Sequence, residues 1–176
     1  MTCPSPARLI GLLLLTLGVA AAGGAGAQDA VRRLPGASGL PLPRFASTAS
    51  DEVNVRTGPG MQFPIRWVYT RPGVPVRVVE EHDVWRRVQD LDGGEGWTQS
   101  NLLSTRRTVV VTGATREIRR KADPDSRVLL RAEAGVVAGL VDCAGEWCRV
   151  DLADKRGWLP RDGVWGVLPG EWRDDG

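Results

Sequence analysis

The sequence predicts an all-β protein in which one small barrel-like unit is used twice. Three observations carry this. A Trp-x-Arg-Val stretch, Trp85-Arg86-Arg87-Val88, returns as Trp147-Cys148-Arg149-Val150, and each copy is trailed by a Gly-Trp pair, Gly96-Trp97 and Gly157-Trp158. Matched positions stay nearly in phase: the offset is 63 from Val55 to Ile118, 62 from Trp85 to Trp147 and 61 from Trp97 to Trp158. A period that drifts so little marks an internal duplication. Apolar residues alternate with polar ones in short runs bounded by Gly, Pro and Asp, and beyond residue 27 no run keeps a helical period. About five short strands in ~60 residues suit a small barrel that closes its own edges.

Taken in order, Val53-Asn54-Val55-Arg56 alternates as a half-buried strand does, and Thr57-Gly58-Pro59-Gly60 is a turn. Ile65 to Tyr69 is the next strand, Arg71-Pro72-Gly73 another turn, and Val74 to Glu80 a third strand. Trp85 to Gln89 is the fourth, closed by the Asp92-Gly93 hairpin signal. Gly96-Trp97-Thr98 starts a last short strand, and Asn101-Leu102-Leu103 makes a single helical turn. The second unit repeats this order through Glu117-Ile118-Arg119, Val128-Leu129-Leu130 and Val136 to Asp142, with Ala122-Asp123-Pro124-Asp125 in place of the Gly-Pro-Gly turn.

The N-terminus reads as a processing signal. Arg8 is a short positive region, Leu9 to Ala22 an apolar one, and Ala25-Gly26-Ala27 a cleavage site, so residues 1–27 are expected to leave. The apolar run is shorter than the ~20 residues of a membrane span; a retained anchor is the alternative. Residues 28–46, with four of their positions Pro35, Gly36, Pro41 and Pro43, are expected to form a largely disordered spacer. Units of 47–104 and 110–168 follow, then a tail of 169–176.

The chain of 176 residues has 23 basic and 21 acidic residues, net +2. Removing residues 1–27 takes only Arg8, leaving net +1. So balanced a charge gives no pull toward nucleic acid or anionic membrane. Only Cys143 and Cys148 remain after residue 27. An even pair in an exported chain is most simply a disulfide. If Cys143 ends one strand and Cys148 starts the next, the two face each other across a four-residue loop, within reach of such a bond.

The run Asn54-Val55-Arg56-Thr57-Gly58-Pro59-Gly60, with Val76 to Glu80, Trp85-Arg86-Arg87-Val88 and Gly96-Trp97, resembles the bacterial SH3-like (SH3b) domain. The match is specific over 47–104 and degenerate over 110–168. The resemblance implies two tandem SH3-like β-barrels and an exported binding or targeting module. Some members bind cell-wall peptide or accompany wall hydrolases.

No catalytic set is expected. His82 lies in the first unit, away from the cysteines, and one His with scattered carboxylates makes no metal site. The Asp90 to Glu95 tip reads as a solvated hairpin rather than a calcium loop. No cofactor is implied. The binding candidates are aromatic: Trp85 with Arg87 beside it, flanked by Trp97 and by Trp67 and Tyr69. If Val88 is in the core, Trp85, three residues away, sits on or near the surface. Trp97 and Trp158 are alternatively core plugs, and for them that reading is favoured; for Trp85 and Trp147 the two are balanced. The sequence thus leads to a periplasmic or secreted, non-enzymatic protein that engages cell-wall peptide or an envelope protein, with no stable membrane insertion once the signal has gone. The alternative is an accessory subunit that targets a separate wall hydrolase. The first unit, which keeps its Gly-Pro-Gly turn, is the expected binder.

Overall fold

The computed structural model describes Met1 and residues 34–172. The expected signal, Met1 apart, and residues 28–33 of the expected spacer therefore lie outside the described residues. Among those described, no helix is long and apolar enough to cross a membrane. Helix is confined to two 3-10 turns, Ser100–Leu102 and Arg161–Gly163.

The other regular elements among the described residues are all β-strands. A short hairpin, β1 (Leu34–Pro35) and β2 (Pro41–Leu42), comes first. The first unit is β3 (Arg44–Thr48), β4 (Val53–Arg56), β5 (Ile65–Tyr69), β6 (Pro75–His82), β7 (Trp85–Gln89), β8 (Glu95–Gln99) and β9 (Leu103–Ser104). The second is β10 (Thr108–Val111), β11 (Arg116–Arg119), β12 (Val128–Ala132), β13 (Val137–Ala144), β14 (Trp147–Leu152), β15 (Lys155–Pro160) and β16 (Val164–Trp165). The ladders run β5-β4-β8-β7-β6-β3-β9 and β12-β11-β15-β14-β13-β10-β16, which is one order used twice. Each seven-stranded sheet bends around its own core. In the first, Ala46, Val55, Val76, Val78 and Val88 come from four strands. In the second, Val109, Val111, Ile118, Ala132, Ala138, Val150 and Leu159 do the same work.

The duplication extends to irregularities. The register slips between Val55 and Arg56 and again between Ile118 and Arg119. It slips between Val78 and Glu80 and again between Leu140 and Asp142. Such bulges bend strands, and a bent sheet can enclose a core this small. The hairpin between β6 and β7 starts at Asp83 (φ 50) where its copy has Gly145 (φ 51).

The copies differ in how that hairpin is tied. In the second unit Cys143 and Cys148 are directly paired across β13 and β14, with Cα atoms 4.0 Å apart, and form the expected disulfide. The loop it closes is short, so reduction is expected to lower the second unit's stability by about 2 kcal/mol. Urea denaturation with and without reductant measures this, and superimposable curves would refute it. In the first unit the same two positions hold Glu81 and Arg86, also directly paired, with Arg86 Nε 3.1 Å from Glu81 Oε1.

Position 98 differs as well. Thr98 is fully buried and its hydroxyl finds no partner among the described residues, whereas the second unit has Leu159 there, 1% exposed. An unbonded buried hydroxyl costs stability that an apolar group of similar shape recovers. Thr98→Val is therefore expected to raise the unfolding midpoint, by about 1 kcal/mol. A lowered midpoint would mean that the hydroxyl is bonded.

Residues 34–46 are not a disordered spacer. Gly36 N donates to Leu40 O (2.7 Å), and Ser38 donates from N (2.7 Å) and Oγ (2.8 Å) to the Glu81 carboxylate. Arg44 Nη2 donates to the same group at 2.6 Å. The segment is a strap laid against β6. Residues 169–172 of the expected tail are also engaged: Arg107, in the linker, pairs with Glu171 and donates to Gly166 O at 2.6 Å.

The units meet at a polar and aromatic seam. Phe45 and Trp165 stack edge to face with centroids 4.8 Å apart, and the Arg107 guanidinium lies 5.7 Å from the Phe45 ring centre. Ser47 Oγ donates to Thr108 Oγ1 (2.6 Å), which donates to Gly73 O (2.7 Å).

Candidate functional site

Directly paired residues of an antiparallel ladder share a face, so the register sorts the candidate residues. Trp67 and Tyr69 pair with Val55 and Val53 and pack against the core. Their rings meet edge to face at 6.3 Å. Burial pushes the Tyr69 phenol up to about 12, against a smaller pull from the Trp67 indole. This pair belongs to the inner face.

Trp85, Arg87 and Trp97 lie on the other face. A row of paired residues crosses four strands there: Arg56 on β4, Trp97 on β8, Arg87 on β7 and Glu80 on β6. The five candidates therefore form two groups on opposite faces of one sheet, not one groove. Trp97 is half-buried; in each Gly-Trp pair the buried residue is the glycine. Gly96, and not the expected core plug Trp97, faces Val55 and the Trp67 ring, while Trp97 turns outward between two arginines. Trp85 is 8% exposed although Val88 is fully buried. It fills the space under the 57–64 loop, so the expected surface position is not where its ring lies.

Arg87 is heavily committed. It pairs with Glu80 at 3.1 Å and with Glu95, and these two carboxylates raise its guanidinium above its ordinary value. It is a fixed cation that offers a ligand little uncompensated charge. Arg56 braces the loop above: its Nη1 donates to Phe63 O (2.8 Å) and to Met61 O (3.3 Å). Thr57 N closes the loop onto Pro64 O (3.0 Å). Between this loop and the sheet lies a notch of about 70 Å³, lined by Asn54, Arg56, Met61, Trp85, Gln99 and Leu102. Met61 (64% exposed), Phe63, Ile65 and Val68 stand open to solvent beside it.

The second unit reproduces the row as Arg119, Trp158, Arg149 and Asp142, with the Arg149 guanidinium 5.4 Å from the Trp158 ring centre. It reproduces the brace too: Arg119 Nη1 donates to Ser126 O (2.7 Å), and Arg120 N to Arg127 O (2.9 Å). The apolar loop residues are what it lacks. Its exposed loop is Lys121-Ala122-Asp123-Pro124-Asp125. Arg56 and Met61 are the site residues that sequence reasoning passed over. The signal for Arg56 was available, since an arginine follows both Val55 and Ile118.

The hairpin tip uses its own acids. Asp90 Oδ1 accepts from Gly94 N at 2.6 Å, and no group of metal-ligating side chains occurs among the described residues.

Several known proteins are similar to parts of this chain. The putative N-acetylmuramoyl-L-alanine amidase YrvJ of Bacillus subtilis is 25% identical over 130 residues, 68% of this chain; the chain spans 25% of that relative. Among solved structures, NlpC2 from Trichomonas vaginalis is similar at 9% identity and a TM-score of 0.33, over 73% of this chain and 51% of that one. An NlpC/P60 family protein from Bacillus cereus is similar at 15% identity and a TM-score of 0.31, over 69% and 55%. The family model for the bacterial SH3 domain matches twice, at residues 49–105 and 113–166. With its repeated seven-stranded ladder and most of its length matched, the chain belongs to the bacterial SH3 domain family, as two tandem copies.

Proposed function

We propose that the protein is an exported, non-catalytic binding or scaffold protein of the cell envelope, and that it engages cell-wall peptide through the outer face of its first unit. One observation carries the choice of unit. Both copies build the same Arg-Trp-Arg row, but only the first sets exposed Met61 and Phe63 beside it. The row supplies a ring between two cations, the loop supplies apolar area, and the notch accepts a small side chain. Trp97 would stack on the ligand, Arg56 would hold the loop in place, and Arg87 would orient Trp97 and Glu80. Trp67 and Tyr69 would support this face from behind. The similarity to a putative wall amidase favours wall peptide over other ligands. It also sustains a second reading, in which the protein targets a separate wall hydrolase as its accessory subunit.

Sedimentation with purified peptidoglycan tests the proposal. The protein freed of residues 1–27 is expected to pellet directly. Trp97→Ala, at a half-buried position, is expected to weaken pelleting roughly tenfold, as loss of an aromatic anchor does. Trp85→Ala is the poorer test, because it empties a buried site. Recovery only in the presence of cell extract would favour the accessory reading. Release of soluble wall fragments by the pure protein would contradict the non-catalytic assignment.

A further inference from the structure

A second cleft, of about 320 Å³, opens at the seam. Arg44, Arg86 and Arg107 line it together with Leu40, Phe45 and Leu103. Both sequence units are needed to build it, since Arg107 is fixed through Gly166 and Glu171 of the second.

Its charge is not balanced. Arg44 and Arg86 share one carboxylate, Glu81, which already accepts two bonds from Ser38. Arg107 is matched by Glu171. Among the described residues, two arginines against one acid leave one positive charge without a counterpart. Donors are left over as well: Arg44 Nη1 and Arg107 Nε are buried and find no acceptor among the described residues. A buried donor without an acceptor is unfavourable, and both of these belong to residues lining the same cleft. The neighbouring cleft of about 430 Å³ differs: its Ser47 and Thr108 hydroxyls are already bonded to each other and to Gly73 O.

We propose that the seam cleft binds a carboxylate carried by an apolar residue, as at the C-terminus of a peptide. The carboxylate sits against Arg44 and Arg107, with Arg86 adding charge from behind. The apolar side chain lies against Phe45, Leu40 and Leu103. This site is separate from the outer face of the first unit and stands whether or not that face binds wall peptide.

The test titrates the isotope-labelled protein with N-acetyl-L-leucine and, in parallel, with the uncharged N-acetyl-L-leucinamide, following backbone and arginine side-chain resonances. The acid is expected to give saturable shifts at Ala46, Leu103 and Ser104 and at the Arg44 and Arg107 guanidinium groups. The amide is expected to bind roughly tenfold more weakly, the loss of one charge-assisted hydrogen bond. Arg44→Gln is expected to bring the acid down to the level of the amide. Should that variant free the strap, the comparison of acid with amide on the unaltered protein decides alone. Equal binding of acid and amide, shifts located elsewhere, or no saturable shift would overturn the proposal.

Discussion

Gly96→Ala is expected to lower the stability of the first unit by about 3 kcal/mol, at the upper end of the usual cost of overpacking a core. A Cβ on Gly96 would stand 2.5 Å from Val55 Cγ1 and 2.9 Å from the backbone oxygen of Arg56. The valine is fully buried and cannot turn away. The backbone oxygen belongs to the strand pair that aligns Arg56 with Trp97, so relief of the clash would separate β4 from β8. Gly157 meets Ile118 Cγ2 at 2.5 Å and Arg119 O at 2.8 Å, so Gly157→Ala is expected to do the same to the second unit. Gly139 is the control, because its nearest neighbours lie at 3.7 Å; Gly139→Ala should stay within about 0.5 kcal/mol. Urea unfolding of the three variants checks the claim, and a Gly96→Ala midpoint equal to that of the control would refute it.

Glu81→Gln is expected to release the strap and to cost the first unit about 3 kcal/mol, the usual penalty for removing one partner of a buried ion pair. The Glu81 side chain is 1% exposed, and the Arg44 and Arg86 side chains 18% and 11%. Burial works to raise the Glu81 carboxyl. The Ser38 amide, the Arg44 guanidinium and the Ser38 hydroxyl outweigh it and bring the carboxyl down to about 2. A folded value depressed below the ordinary one means that the charged form stabilises the fold. That contribution is complete above about 4.5, and it is lost as the pH falls toward about 2. Allowing for solvent screening around the strap, it amounts to about 2 kcal/mol. Hydrogen exchange at the Ser38 amide reads it directly. Protection should fall across that window in the native protein, and Glu81→Gln should already lack it at neutral pH. Protection that is unchanged in both would refute the latch.

Glu81 also shows what the sequence could and could not disclose. Strand positions were legible because alternation and turn residues are local: β4, β5 and β7 fall where the pattern places them. The disulfide was legible because only two cysteines follow residue 27, and their spacing lets them face each other across one hairpin. The strap was not, because Leu34 to Pro43 has no apolar period, and its order comes from hydrogen bonds to a carboxylate 43 residues away. The equivalence of Glu81–Arg86 with Cys143–Cys148 was hidden for a related reason, since the alignment shows Cys148 at the place of Arg86 but not what either touches. The two-sided division of Trp67 and Tyr69 from Trp85, Arg87 and Trp97 needed the register of β8. Pairing of Val88 with Gly96 sends the glycine inward and Trp97 outward, and no local pattern carries that parity. The seam rests on single contacts such as Ser47 with Thr108, 61 residues apart.

The two copies differ by small changes on one frame, and the proposed division of labour between them rests on those changes. The second unit has a disulfide at its hairpin and charged residues on its loop. The first has a strap latched by Glu81, and Met61 and Phe63 beside the Arg56-Trp97-Arg87 row. Chemical-shift mapping of the protein freed of residues 1–27, titrated with purified muropeptides, tests this division most directly. Shifts are expected at Trp97, at Arg87 and along the 57–64 loop, with residues 110–168 unmoved; shifts confined to 110–168 would contradict it.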